Sequence, residues 1–73
     1  MKISEAAFIS GIGYNTLRRH VVLGWLEIEG GQIDGSNLYH YCVWQWKRGR
    51  VTMYPPDTVY KRLVDLRGIF YEF

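Results

Sequence analysis

The stretch Ile9–Leu26, ISGIGYNTLRRHVVLGWL, decides the predicted fold because its three glycines separate two helices and a short turn. Gly11 follows the segment EAAFIS, at the position where a left-handed glycine commonly ends a helix. Gly13 is expected to start a second helix, and Gly24 is expected to end it by the same rule. The pattern therefore predicts a helix, a tight turn and a second helix near the N-terminus.

The predicted second helix has one apolar side and one polar side. Leu17 and Val21 lie at i, i+4 spacing, which places them together on the side that packs against the rest of the chain. Arginine can bond guanine, asparagine can bond adenine, and threonine can bond a base or a phosphate, so these residue types suit the major groove of DNA. The residues of this kind that are expected to face outward are Asn15, Thr16, Arg18 and Arg19.

A plainer interpretation of the same helix stays open. The arginines can belong to an ordinary solvated face and pair with Glu5 or Glu27. Thr16 can bond its own helix rather than a base, and Tyr14 can either contact the sugar-phosphate backbone or simply close the turn.

The segment that follows the second helix has the alternation of a strand. WLEIE alternates apolar and polar residues, GGQIDGS is rich in turn residues, and NLYHY can return as a second strand. We therefore expect a short two-stranded β-hairpin with its tip between Gly30 and Gly35. A helix over about 40–48 is expected next, and then a helix over 58–67 with Asp57 as its N-cap.

This order of elements predicts the fold class and adds residues to the expected DNA contacts. Helix, turn, helix, hairpin and helix make an α+β, mainly α protein: a winged helix-turn-helix with a short two-stranded hairpin wing and an added C-terminal helix. The wing residues expected to touch DNA are Gln32, Ser36 and Asn37. The residues expected to hold the DNA backbone are Tyr14, Lys47 and Arg48.

Length and composition limit the classes of function. The chain has 73 residues and a formal net charge of +2, so we expect one domain over 1–73, with its core in 1–50 and a C-terminal helix and tail in 57–73. Basic residues cluster while acidic residues are scattered, which favours a polyanionic partner such as double-stranded DNA. No nucleophile elbow, paired catalytic carboxylates or phosphate-binding loop is present, so neither enzymatic activity nor a cofactor is expected.

Cysteine and hydropathy patterns indicate the compartment. Cys42 is the single cysteine, so no intramolecular disulfide forms and a cytoplasmic location is expected. Cys42, His40 and His20 lack the spacing and the fourth ligand of a zinc site, so no metal is expected. No apolar run approaches the ~18 residues of a membrane span, so no membrane partner is expected.

The N-terminal segment ISEAAFISGIGYNTLRRHVVLGWL resembles the helix-turn-helix of MerR-type regulators and of phage excisionases. The shared features are EAA in a short helix, a glycine turn, TLRR, and a glycine before a large apolar residue, with SNLYHY where those families place the return strand of the wing. The resemblance covers roughly residues 1–50, and the apolar run Val21–Leu23 departs from it. A chain of 73 residues has no room for the long dimerisation helix of a MerR regulator, which favours the excisionase.

The resemblance implies a small, non-catalytic phage or prophage protein of the bacterial cytoplasm. Such a protein, also called a recombination directionality factor, binds attachment-site DNA and directs an integrase toward excision. Two alternatives remain: a small MerR-like or Cro-like transcriptional regulator, and a phage-encoded protein-interaction module on a helix-turn-helix scaffold. The aromatic tail GIFYEF is expected either to mediate self-association on adjacent DNA sites or to fold back onto the core.

Overall fold

The computed structural model describes residues 1–68, and this part of the chain is helical. The helices are α1 (Ile3–Ser10), α2 (Tyr14–Val22), α3 (Gly35–Arg48) and α4 (Pro56–Arg67). Helix α4 packs against α1 and α3, and α1 also packs against α2. These helices and the segments between them surround one apolar core, which includes Ala6, Ile9, Ile12, Leu17, Leu26, Ile33, Leu38, Cys42, Val59 and Leu63.

The glycine pattern correctly predicts where α1 ends, whereas the predicted N-cap of α4 is wrong. Gly11 ends α1 with φ 74°, as predicted for a left-handed glycine. The N-cap of α1 is Lys2, whose side chain makes no capping hydrogen bond. Helix α4 begins at Pro56, so Asp57 lies in its first turn rather than at its cap. Proline suits the first helical position because its fixed φ is already helical and no backbone N–H is lost there.

The predicted two-stranded wing is absent, and the α+β class is wrong: within residues 1–68 no strand or sheet forms. Gly30 and Gly31 make a tight turn with φ values of 57° and 76°, which only glycine adopts readily. Across this turn the backbones of Glu29 and Gln32 exchange two hydrogen bonds of 2.9 Å, as one isolated bridge. The pairing extends no further because the chain enters α3 immediately afterwards.

The segment expected to return as a strand forms the first half of α3, which begins at Gly35 rather than near His40. The Asp34 side chain accepts a hydrogen bond of 2.8 Å from the Ser36 N–H and caps the helix. The residues that α3 buries have helical spacing of i, i+3, i+4 and i+7. Besides Gly35 at the start of the helix, they are Leu38, Tyr41, Cys42 and Gln45.

The connection between α2 and α3 is irregular but anchored. Leu26 and Ile33 are buried in the core at its two ends. The Met1 amino group donates to the Ile33 carbonyl at 2.8 Å, and the Ile33 N–H donates to the Met1 carbonyl at 2.6 Å. The tail GIFYEF is predicted to mediate self-association or to pack on the core. From residue 69 onward it lies outside the described residues.

Candidate nucleic-acid interface

The outer face of α2 consists of five side chains within about 140° of arc, at about 100° per residue. They are Tyr14, Asn15, Arg18, Arg19 and Val22. All five are exposed; the exposed fraction is 47% for Tyr14 and 85% for Val22. The opposite side of α2 buries Leu17 and His20, and Thr16 is half-buried between the two sides. Asn15, Arg18 and Arg19 therefore face outward as predicted, whereas Thr16 is only partly available.

Within residues 1–68 the side chains of Arg18 and Arg19 have neither a hydrogen bond nor an ion pair. The two carboxylates expected as their partners are engaged elsewhere. Glu5 forms a salt bridge of 2.8 Å with the arginine that ends α4, and Glu27 accepts a hydrogen bond of 3.3 Å from Asn37. Both guanidinium groups thus keep their donors for an external acceptor.

The turn before α2 sets the position of its first residues. The Ser10 hydroxyl oxygen accepts a hydrogen bond of 3.2 Å from the Ile12 N–H, and the Ser10 carbonyl accepts one of 2.9 Å from the Tyr54 N–H. The N-cap of α2 is Gly13, which has no side chain to bond the first N–H groups of the helix. The start of α2 therefore presents free backbone donors beside Tyr14 and Asn15.

A buried cluster of polar side chains holds α2 against α3. Gln45 Nε2 lies 3.3 Å from both His20 Nδ1 and the Tyr41 hydroxyl, and that hydroxyl is also hydrogen-bonded to His20 Nδ1. A neutral His20 ring with its proton on Nε2 fits this arrangement, because Nδ1 can then accept from the Gln45 amide. Burial, followed by the charges of Arg19 and Arg48, lowers the pKa of His20 from 6.5. Burial raises the pKa of Tyr41 to about 12.

Arg48, predicted to hold the DNA backbone, is stacked on two tryptophan rings. Its guanidinium carbon lies 4.8 Å from the ring centroid of Trp25 and 4.6 Å from that of Trp44. The two rings meet edge to face, with 5.5 Å between centroids and 85° between planes. We call Trp25, Arg48 and Trp44 the tryptophan–arginine stack. Trp25 also lies 4.8 Å from the His20 ring, so the stack adjoins the buried polar cluster.

The residues assigned to the wing lie in a different electrostatic setting. They are Gln32, Ser36 and Asn37. Gln32 and Asn37 line a groove of about 650 Å³, whose charged lining residues are Glu27, Glu29, Asp34 and Arg67 together with the N-terminal Met1. The Ser36 N–H caps α3 through Asp34, as described above. These residues thus have no wing to carry them, and the three carboxylates in the groove outnumber its two positive groups, Arg67 and the Met1 amino terminus, which gives a DNA phosphate no net attraction there.

Lys47 is the remaining residue predicted to hold the DNA backbone. It is exposed on the last turn of α3, next to Arg48. The sequence alone did not indicate the tryptophan–arginine stack, because Trp25 lies on an irregular segment far from Arg48 in the chain. The i, i+4 spacing of Trp44 and Arg48 on a helix was the one available signal.

Residues that carry metal or thiol chemistry form no centre in the part of the chain the structure describes. No group of three or more His, Cys, Asp or Glu residues between residues 1 and 68 is arranged to hold a metal ion. Cys42 is buried in the core, and burial raises the pKa of its thiol to about 12. Among the same residues, no helix has the length and apolar character needed to span a bilayer.

Comparisons with protein-family models, with curated proteins and with solved structures find no match for the chain.

Proposed function

We propose that this protein binds double-stranded DNA by inserting the outer face of α2 into the major groove. The observation that carries the proposal is the pair Arg18 and Arg19, exposed and unpaired within residues 1–68 on a helix whose other side is buried. A helix with its side chains is about 10–12 Å wide and the major groove about 12 Å wide, so the two fit. Arg18 and Arg19 then bind guanine edges or phosphates, and Asn15 binds adenine.

The support for α2 favours this use. Base recognition needs a helix whose orientation is fixed, and Leu17, fully buried, and His20, hydrogen-bonded to α3, hold α2 from its inner side. The charges are also separated on the surface. The bases Arg18 and Arg19 lie on α2, and Lys47 and Arg48 lie in the last turn of α3. The groove near the Gly30–Gly31 turn instead combines three acidic residues with Met1 and Arg67. A polyanion is therefore attracted to the side that carries α2 and the end of α3.

Within DNA binding, we propose the role of a phage or prophage excisionase that acts with an integrase in the bacterial cytoplasm. The support is the resemblance of the segment that forms α1, the turn and α2. The wing part of that resemblance is not used, because those residues form α3. A MerR-like or Cro-like regulator uses the same face. An integrase-dependent excision assay separates the two, since only an excisionase raises the yield of excised product.

One module of this size buries about 600–1,000 Å² on DNA, so we expect modest affinity on one site and cooperative binding to adjacent sites. A DNA with two neighbouring sites tests this expectation. Cooperative occupancy in a gel-shift titration is the expected result, and independent filling of the two sites is the contrary one.

The DNA-binding proposal is tested by fluorescence anisotropy on labelled duplex DNA. Arg18→Ala and Arg19→Ala each remove one charged hydrogen-bonding group and should each weaken binding about tenfold. Lys61→Ala is the matched control, because it removes the same charge from an exposed position on α4. Its effect should be small. If the Arg18→Ala/Arg19→Ala double variant retains full affinity, the assignment of α2 is wrong.

One observation favours a second candidate function, a protein-interaction module. Val22 is 85% exposed and Leu23, the C-cap of α2, is 54% exposed, so two large apolar side chains lie at the C-terminal end of α2. Apolar side chains at such positions commonly contact a protein partner. Under this alternative, Val22→Ser and Leu23→Ser abolish partner binding, and the wild-type protein shows no salt-sensitive DNA binding.

A further inference from the structure

The Arg48 side chain is held in one orientation by its surroundings. Trp25 and Trp44 approach the guanidinium carbon to within 4.8 and 4.6 Å, and Nη1 lies 3.5 Å from Gln45 Oε1. An arginine on a free surface loses much side-chain entropy when it binds a ligand. Here the ring contacts have already restricted the side chain, so Arg48 is preorganised for an acceptor.

The hydrogen-bonding capacity of Arg48 is nevertheless almost unused. A guanidinium group has five N–H donors, and within residues 1–68 only one of them has an acceptor, the weak contact to Gln45. No carboxylate in the same part of the chain forms a salt bridge with it. A fixed planar group with several free donors and no counter-charge binds phosphate well, because its geometry matches two phosphate oxygens.

Arg48 lies close to the segment that follows α2. The guanidinium carbon of Arg48, on α3, lies 4.8 Å from the ring centroid of Trp25. Trp25 follows the end of α2 closely and covers the His20 ring at 4.8 Å. The tryptophan–arginine stack therefore lies beside the C-terminal end of α2.

We propose that the tryptophan–arginine stack is a preformed phosphate site, in which Arg48 binds one backbone phosphate of the DNA and Trp25 and Trp44 are positioning residues. This inference rests on the proposed function and adds to it the means by which the protein is aligned on the duplex. Phosphate contacts of this kind set orientation rather than sequence preference. Loss of Arg48 therefore weakens binding to all duplexes alike.

The test measures the affinity of the full chain for random-sequence duplex DNA as a function of salt. Arg48→Ala should weaken binding about tenfold and reduce the slope of log affinity against log salt by about 0.9. Arg48→Lys keeps the charge but loses the planar fork and the stack, so it should also weaken binding. Arg50→Lys is the matched control, because Arg50 is exposed and has no partner within residues 1–68.

A second pair of variants tests the positioning role. Trp44→Leu removes one ring from Arg48 and should lower affinity roughly three- to fivefold, the size of a lost cation–π contact. Trp46→Leu is its control, because Trp46 is similarly exposed at 49%, whereas the cation–π contacts of Arg48 within residues 1–68 are to Trp25 and Trp44. Each variant is first checked for helicity by circular dichroism. Arg48→Lys preserves the test if a tryptophan variant does not fold.

The outcomes separate this inference from the proposed function. If the wild-type protein shows no salt-sensitive DNA binding, both fail. If the Arg18 and Arg19 variants lose affinity while Arg48→Ala and Arg48→Lys bind with wild-type affinity and slope, the stack is only structural. In that case the phosphate site is overturned and the role of α2 stands.

Discussion

Replacement of Gly11 by alanine is expected to destabilise the protein strongly, because of its backbone conformation and because of its contact with the Tyr54 ring. Gly11 has φ 74°, and this left-handed conformation costs a residue with a Cβ roughly 1–2 kcal/mol. The added Cβ also lies 2.8 Å from Tyr54 Cδ2 and 3.0 Å from two further ring atoms, so the ring must move. Overpacking of this kind costs about 1–3 kcal/mol, which gives a total loss of about 2–5 kcal/mol in the free energy of unfolding.

The matched control for this substitution is Gly49→Ala. Gly49 ends α3 in the same left-handed conformation, with φ 65°, but an added Cβ meets no atom within 4 Å. It should lose only the backbone part, about 1–2 kcal/mol. In a small domain each 1 kcal/mol corresponds to about 4–8 °C in Tm, so the two variants are readily distinguished by thermal or urea unfolding.

A double-variant cycle identifies the steric part directly. Tyr54→Ala removes the ring, so Gly11→Ala should cost no more in that background than Gly49→Ala does in the wild type. Equal losses for Gly11→Ala and Gly49→Ala in the wild-type background would refute the close packing of Tyr54 on the α1–α2 turn. The orientation of α2 relative to α1 would then need a different explanation.

Three further predictions concern buried and capping residues. Because burial lowers the pKa of His20 from 6.5, the unfolded chain takes up a proton at a higher pH than the folded protein does, so the free energy of unfolding should decline as pH falls below 6.5. His20→Gln should flatten this decline when stability is measured by urea titration at several pH values. An unchanged dependence of the free energy of unfolding on pH in the variant would contradict it. Asp34→Ala removes the cap on the Ser36 N–H and should cost about 1 kcal/mol by thermal unfolding, whereas Asp34→Asn should retain most of the stability. Cys42 should react with a thiol reagent far more slowly in the native protein than in urea, and similar rates would show that it is not buried.

The helix ends and the outer face of α2 were predictable because local rules decide them. Glycine after an apolar segment indicates a left-handed helix end, and Gly11 has that conformation. The i, i+4 spacing of buried Leu17 and half-buried Val21 correctly placed Arg18 and Arg19 on the exposed side. Neither inference needs knowledge of residues distant in the chain.

The wing was predicted wrongly because NLYHY fits two periods. Over five residues its side chains can alternate as in a strand, whereas over the longer span from Leu38 to Gln45 the buried residues have helical spacing. The Asp34 cap and burial against α4 stabilise the helix in this competition. The tryptophan–arginine stack was inaccessible for another reason: it requires the approach of Trp25 to Arg48, which depends on the tertiary fold.

The central claim, that α2 binds duplex DNA through Arg18 and Arg19, is tested most directly by the salt dependence of binding. The slope of log affinity against log salt reports the number of phosphate charges neutralised, at about 0.9 per contact. The account predicts a steep slope for the wild-type protein, lower affinity for the Arg18→Ala/Arg19→Ala variant, and a slope smaller by up to about 1.8. A wild-type protein that binds no duplex, or a double variant with the same affinity and the same slope, would contradict it.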